Sequence, residues 1–183
     1  MNKNVARPAY TNRKVYIVDG SRTPFIKARG KPGPFSSSDL AVAAARPLLN
    51  RHSFSPSDLD EVILGCVMPS PDETNIARIV SLRLGCGHDV PAWTVQRNCA
   101  SGMQALDSAA SNISTGRSDL VLAGGCEAMS RAPLLLKPEM VTWLAAWQKS
   151  RTFKAKLSAL SKLRPALFAP VIGLLRGLRD PTV

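Results

Sequence analysis

Four short strand-like runs, separated by stretches with helical spacing, constrain this chain more than any other feature of its sequence. "KVYIVDG" (14–20), the end of "SPSDLDEVILGCVM" (55–68), a run at about 91–96, and the start of "SDLVLAGGCEAMS" (118–130) are rich in residues that suit strands. Between them lie "SSSDLAVAAARPLLN" (36–50), "ETNIARIVSLRLG" (73–85) and "SGMQALDSAASNIS" (101–114). The first should start at a Ser or Asp and be kinked or shortened by Pro47. In the second, Ile76, Ile79, Val80 and Leu84 share a face and Gly85 is the stop; the third should close near Gly116. Strands alternating with helices predict an α/β fold, a mostly parallel sheet with right-handed crossovers and helices on both faces.

A chain of 183 residues that is 45% apolar can bury one real core, which excludes a disordered or fibrous class. No apolar run reaches the roughly 18–20 residues a membrane helix needs, and the first 18 residues lack a secretory h-region. The start is basic and free of acids up to Asp19, so residues 1–14 read as an unstructured leader, with an organellar presequence as the alternative. Cys66, Cys86, Cys99 and Cys126 lie 20, 13 and 27 positions apart, with only His52 and His88 beside them, which argues against zinc or any other metal site. Reduced thiols in a reducing compartment follow, which means the cytoplasm, or the mitochondrion in a eukaryote.

Residues 15–132 carry the strand and helix rhythm, and residues 133–183 break it with Pro133, Pro138, Pro165, Pro170 and Pro181. That last stretch holds nine Lys or Arg against two acids, +7, whereas residues 1–132 hold fifteen against eleven, +4. It has no aromatic-interleaved basic patch, and nucleic acid ranks last among its partners. "MVTWLAAWQKS" and "TFKAKLSALSKL" are helical patches; in the second, Phe153, Leu157 and Leu160 share one face and Lys154, Lys156 and Lys162 fall largely elsewhere. Such a basic amphipathic element over 150–176 packs on its own domain or a partner chain, or else lies on a membrane surface.

The chemically richest stretch is "VQRNCASGMQAL" (95–106), where Cys99 stands at the seam between a run that suits a buried strand and a helix. The first turn of a helix offers unpaired N–H groups and the positive end of the macrodipole, which favour an anionic sulfur. Small neighbours, Ala100 and Gly102, leave room for a substrate. The residues also fit a plain small buried cysteine, the commonest fate of a free one.

"SRTPF" (21–25), "VQRNCASGMQAL" (95–106) and "LVLAGGCEAMS" (120–130) together resemble, in order and spacing, the N-terminal half of the thiolase family. The basic stretch and the closing "GLLRGLRDPTV" resemble the loop region of fatty-acid-oxidation thiolases that work beside a hydratase–dehydrogenase partner. The resemblance implies the thiolase-like fold, with this chain forming the first of two similar five-stranded halves plus part of the helical loop region. It implies an acetyl-CoA C-acyltransferase that cleaves 3-ketoacyl-CoA, with Cys99 as the acylated nucleophile. Coenzyme A would be a co-substrate, no cofactor would be tightly bound, and the intact protein would be a homo-oligomer. Met129 would wall the acyl pocket, although its pattern alone reads as core packing; Arg22 and Thr23 would fix the first turn against the sheet. The family's catalytic histidine and second cysteine match nothing here. His52 and His88 read as surface residues, and Cys66, Cys86 and Cys126 as core. The chain is therefore expected to be one piece of a thiolase, with a condensing thiolase or synthase and a non-catalytic assembly module as alternatives.

Overall fold

The computed structural model describes residues 13–27 and 31–173; residues 1–12, 28–30 and 174–183, which hold most of the leader and the closing segment, lie outside it. The chain forms two compact units, 1–131 and 132–183.

In the first unit, helix α1 (Ser37–Leu49) begins at a capping box in which the Ser36 hydroxyl accepts from Asp39 N while the Asp39 carboxylate accepts from Ser36 N. Pro47 sits in its last turn, and the helix continues through it to Leu49. A 3₁₀ turn capped by Ser55 leads into strand β1 (Glu61–Gly65). Helix α2 (Ile76–Leu84) starts at Asn75, whose side chain accepts from Arg78 N, and stops at Gly85 with φ +88°, a left-handed C-terminal residue. Strand β2 (Ala92–Val95), helix α3 (Ser101–Ser114) and strand β3 (Val121–Gly125) follow.

The three strands form one parallel sheet in the order β2-β1-β3, with Ile63 opposite both Trp93 and Ala123. The path β1–α2–β2 steps to one side of β1, and β2–α3–β3 steps back across it. Right-handed crossovers in opposite directions must place their helices on opposite faces. Accordingly Val62 and Leu64 pack with Val42, Leu49, Ile76, Val80 and Leu84 on the α1/α2 face, while Ile63 packs with Ala105 and Ala109 of α3. β1 is buried on both faces, as a central strand should be.

Several expectations are corrected. Residues 14–20 are not a strand: Tyr16, Ile17 and Val18 are 72%, 86% and 73% exposed and no ladder runs through them. Strand propensity describes fit to a half-buried pleated surface, and this segment is tied down by side chains instead. Asp19 accepts from Arg51 and is bonded to His52, and Arg13 donates to Asp119. Arg22 lies over the Phe25 ring and donates to Thr23 O, contacts within its own segment rather than against the sheet. The described residues of this unit thus give three parallel strands, not the five of a complete half. β2 is also no buried strand; every residue is half-buried because it forms an edge, with Trp93 Nε1 donating to Glu61 at 2.5 Å.

The second unit contains a two-residue antiparallel pair, β4 (Leu134–Leu135) with β5 (Val171–Ile172), and helices α4 (Pro138–Lys149) and α5 (Phe153–Leu160). Trp143 stacks on Trp147 and donates to Ala159 O at 2.8 Å, joining the two helices. Among the described residues no helix is long and apolar enough to cross a membrane.

Candidate functional site

The loops leaving β1 and β2 turn to opposite faces of the sheet, and open α/β sheets form their ligand crevices at such points, outside the carboxyl ends of the strands. Cys99 lies in the second of these loops, immediately before Ala100, from which α3 begins without a side-chain cap. It is a free, exposed cysteine, so the buried reading does not hold.

The turn that carries Cys99 is built by its neighbours. Asn98 has φ +47°, a left-handed conformation that asparagine tolerates better than most residues. Ala100 N donates to Arg97 O, and Ser101 N to Asn98 O. The Ser101 hydroxyl donates to Asn98 O at 2.7 Å and accepts from Arg97 N at 2.8 Å, locking both sides of the cysteine. Arg97 also reaches Gln104 Oε1 at 2.6 Å, one turn into α3.

Below this turn the sheet comes unusually close. A Cβ on Gly65 would stand 2.3 Å from the Ser101 carbonyl, and one on Gly125 would stand 3.0 Å from Gly102 Cα. Bare backbone at the ends of β1 and β3 therefore lets the first turn of α3 sit on the carboxyl edge of the sheet. Gly102, read from sequence as space for substrate, instead faces Gly125 across this contact.

Glu127 is the residue that sequence reasoning missed. Its carboxylate accepts from Val67 N at 2.8 Å and Met68 N at 3.3 Å, clamping the loop after β1 to the loop after β3. Its one visible signal was a lone acid two residues after an apolar Gly-Gly strand. Met129 opens a 3₁₀ turn (Met129–Arg131) beyond β3 and is 44% exposed, so core packing does not describe it. Cys66 and Cys86 are buried and Cys126 is half-buried.

The two histidines are placed elsewhere. His52 follows α1 in the connection that enters β1, bonded to Asp19 at 3.1 Å and stacked on Phe54. His88 is exposed in the connection that enters β2. Both connections feed the amino ends of parallel strands, and Cys99 lies past the carboxyl end. An open cleft of about 510 Å³ lined by Glu61, Trp93, Asp107 and Arg117 runs along the flank of α3 and is not lined by Cys99. Among the described residues no group of three or more His, Cys, Asp or Glu is placed to hold a metal ion.

Residues 15–168 match the family model described as "Thiolase, N-terminal domain". The chain is 34% identical over 168 residues to the mitochondrial trifunctional enzyme subunit beta of Bos taurus, covering 92% of this chain and 35% of that protein. It is 41% identical over 127 residues to the beta-ketoadipyl-CoA thiolase of Pseudomonas knackmussii, covering 68% and 32%. Among solved structures it resembles human mitochondrial 3-ketoacyl-CoA thiolase in complex with CoA, with a TM-score of 0.60 and 36% identity over 64% of this chain and 30% of that one. The chain spans about a third of the length of the curated relatives it matches.

Proposed function

This chain belongs to the thiolase family through its N-terminal domain, and from that premise we propose that it supplies the nucleophilic half of a 3-ketoacyl-CoA thiolase, with Cys99 as the residue that carries the acyl group. The observation that supports this most is the exposed Cys99 on a hydrogen-bonded turn at the start of α3, over the carboxyl edge of a parallel sheet. In the reaction the Cys99 sulfur attacks the 3-keto carbon and the bond between C2 and C3 breaks. Acetyl-CoA departs as its enolate and takes up a proton. The sulfur of coenzyme A then attacks the Cys99 thioester, releasing the shortened acyl-CoA and restoring Cys99. Covalent catalysis of this kind splits one hard step into two easier ones. Met129, past the end of β3, is our candidate for the acyl-pocket wall.

Neither His52 nor His88 is placed to serve Cys99, and we propose that the base and the acid of the cycle are supplied by groups other than these two histidines. General acid and base groups contribute about 10²–10⁴-fold each. The placement of the histidines also favours a second reading, in which the 183-residue polypeptide alone is an assembly module. We propose that the intact thiolase is a homo-oligomer that works beside a hydratase–dehydrogenase partner; that a relative is a subunit of a trifunctional enzyme supports a multi-subunit assembly. We place the protein where thiols stay reduced, in the mitochondrion of a eukaryote or the cytoplasm otherwise. For 150–176, of which residues 174–176 lie outside the description, we propose contact with an anionic membrane surface, supported by exposed Phe153, Leu157 and Leu160 among lysines.

Incubation of the 183-residue chain with radiolabelled acetyl-CoA, followed by peptide mapping, tests the assignment. Label should collect on the Cys99 peptide and vanish in Cys99→Ala, with no sustained cleavage of acetoacetyl-CoA. Label on another cysteine, or none on Cys99 after long incubation, would refute it.

A further inference from the structure

We propose that Cys66 and Cys126 form an oxidisable pair that closes to a reversible disulfide when the chain meets a two-electron oxidant of the peroxide class. The pair stands on the fold of this chain and does not depend on the acyl-transfer reading. Both cysteines lie one residue beyond the registered ends of β1 and β3, where Gly65 is opposite Gly125. Cys126 N donates to Gly65 O at 3.0 Å, so the ladder continues as far as the cysteines. Neighbouring strands run about 4.8 Å apart, inside the window of about 4.4–6.8 Å between Cα atoms that disulfides occupy. Strand alternation puts both thiols on one face: Cys66 follows Val62 and Leu64, and Cys126 follows Leu122, all in the core shared with α1 and α2. Cys66 belongs to that core and Cys126 packs against it.

Their surroundings assign each sulfur a part. Cys66 Sγ donates to Glu127 Oε1 at 3.7 Å, a contact that orients the thiol while the carboxylate charge opposes its ionisation. The hydrogen bond from Cys126 holds the Cys66 thiol below its ordinary value, against burial and the Glu127 charge. The same bond, reinforced by burial, pushes the Cys126 thiol up. Cys66 is thus the attacking sulfur and Cys126 the resolving one. Cys66 is buried and Cys126 half-buried, so a small oxidant would have to enter beside Cys126.

Cys66 sulfur attacks one oxygen of hydrogen peroxide; the O–O bond breaks, an S–OH group forms, and the other oxygen leaves with the proton of Cys66 as water. Cys126 sulfur then attacks Cys66 sulfur; the S–S bond forms, the S–O bond breaks, and hydroxide leaves with the proton of Cys126 as a second water. Two thiols lose two electrons and the peroxide gains them. A thiol reductant reverses the change by exchange. The new bond would tie β1 to β3 next to Gly65, on the α1/α2 face of the sheet opposite α3.

The test treats the reduced 183-residue chain with hydrogen peroxide, alkylates remaining thiols in denaturant, and maps the peptides by mass spectrometry without reduction. We expect a linked pair of peptides containing Cys66 and Cys126, released by dithiothreitol, whatever the state of Cys99. In Cys126→Ser the link should be lost and Cys66 should be trapped as its sulfenic acid by dimedone. The wild-type map decides alone if that variant does not fold. Recovery of Cys66 and Cys126 as free thiols after Cys99 has been fully oxidised would overturn the proposal.

Discussion

The carboxyl end of β1 and the first turn of α3 meet backbone to backbone: a Cβ on Gly65 would stand 2.3 Å from the carbonyl carbon and oxygen of Ser101 and 2.6 Å from Gly102 N. No rotamer change can relieve such a contact, because neither partner is a side chain. The position of the Cys99 turn over the sheet therefore rests on a residue 34 positions upstream of it.

Alanine at the three glycines of this contact should grade with the space available. Gly65→Ala must move α3 and should cost about 3 kcal/mol or more, at or above the upper end of overpacking costs. Gly125→Ala, at 3.0 Å from Gly102 Cα, should cost less, and Gly102→Ala, at 3.6 Å from Gly125 Cα, should be close to neutral because alanine is the better helix former. Urea midpoints of the three variants check the order. Equal stability of Gly65→Ala and the parent chain would contradict the packing described for α3.

Cys99 should be the thiol alkylated first by limiting iodoacetamide, since it is exposed while Cys66 and Cys86 are buried and Cys126 is half-buried. Peptide mapping of the singly modified chain gives the answer. Dominant early labelling of Cys66 or Cys86 would show that the sheet core opens faster than the Cys99 turn reacts.

Asp60 makes folding stability depend on pH. Its carboxylate accepts from Asp119 N at 2.6 Å and Leu120 N at 2.9 Å, joining the chain before β1 to the chain before β3. The Asp119 bond, then the Leu120 bond, hold its pKa below the ordinary 3.8 against a smaller opposing effect of burial. A depressed folded value means the stabilisation is fully present above the unfolded value and is lost as pH falls through the folded one. Asp60→Asn should cost about 1 kcal/mol at pH 7, a figure discounted for its exposure. The gap between parent and variant should close as the pH falls below the ordinary carboxylate value and through the depressed folded one. A gap that is constant with pH would exclude the carboxylate as its source.

Binding of the second unit to lipid should be electrostatic and salt-sensitive. Lys154 and Lys156 flank exposed Phe153 and Leu157 on α5, and charges at a surface act over about 8–10 Å near physiological ionic strength. Sedimentation with vesicles containing phosphatidylserine should pull the chain down at low salt and release it at high salt. Equal recovery with neutral vesicles would leave α5 as a surface helix only.

Much of this protein is written locally. Asn75 and Gly85 bound α2, Ser36 starts α1, and the spacing of Ile76, Val80 and Leu84 fixes a buried face, because each signal operates within one or two turns of its own backbone. The seam at Cys99 is legible for the same reason: the strand end at Val95, the left-handed Asn98 and the helix start at Ser101 fall within one short stretch of chain. What "KVYIV" becomes is not local. A strand exists only where a neighbour offers a ladder, and among the described residues this segment is held by Asp19, Arg51 and His52 instead. Whether Gly65 may carry a side chain depends on Ser101, what Glu127 clamps depends on Val67 and Met68, and which thiol Cys66 meets depends on the register of β1 against β3. Those partners lie 36 to 60 residues apart in the chain, and only the order β2-β1-β3, reached by two crossovers on opposite faces, brings them within a few ångströms.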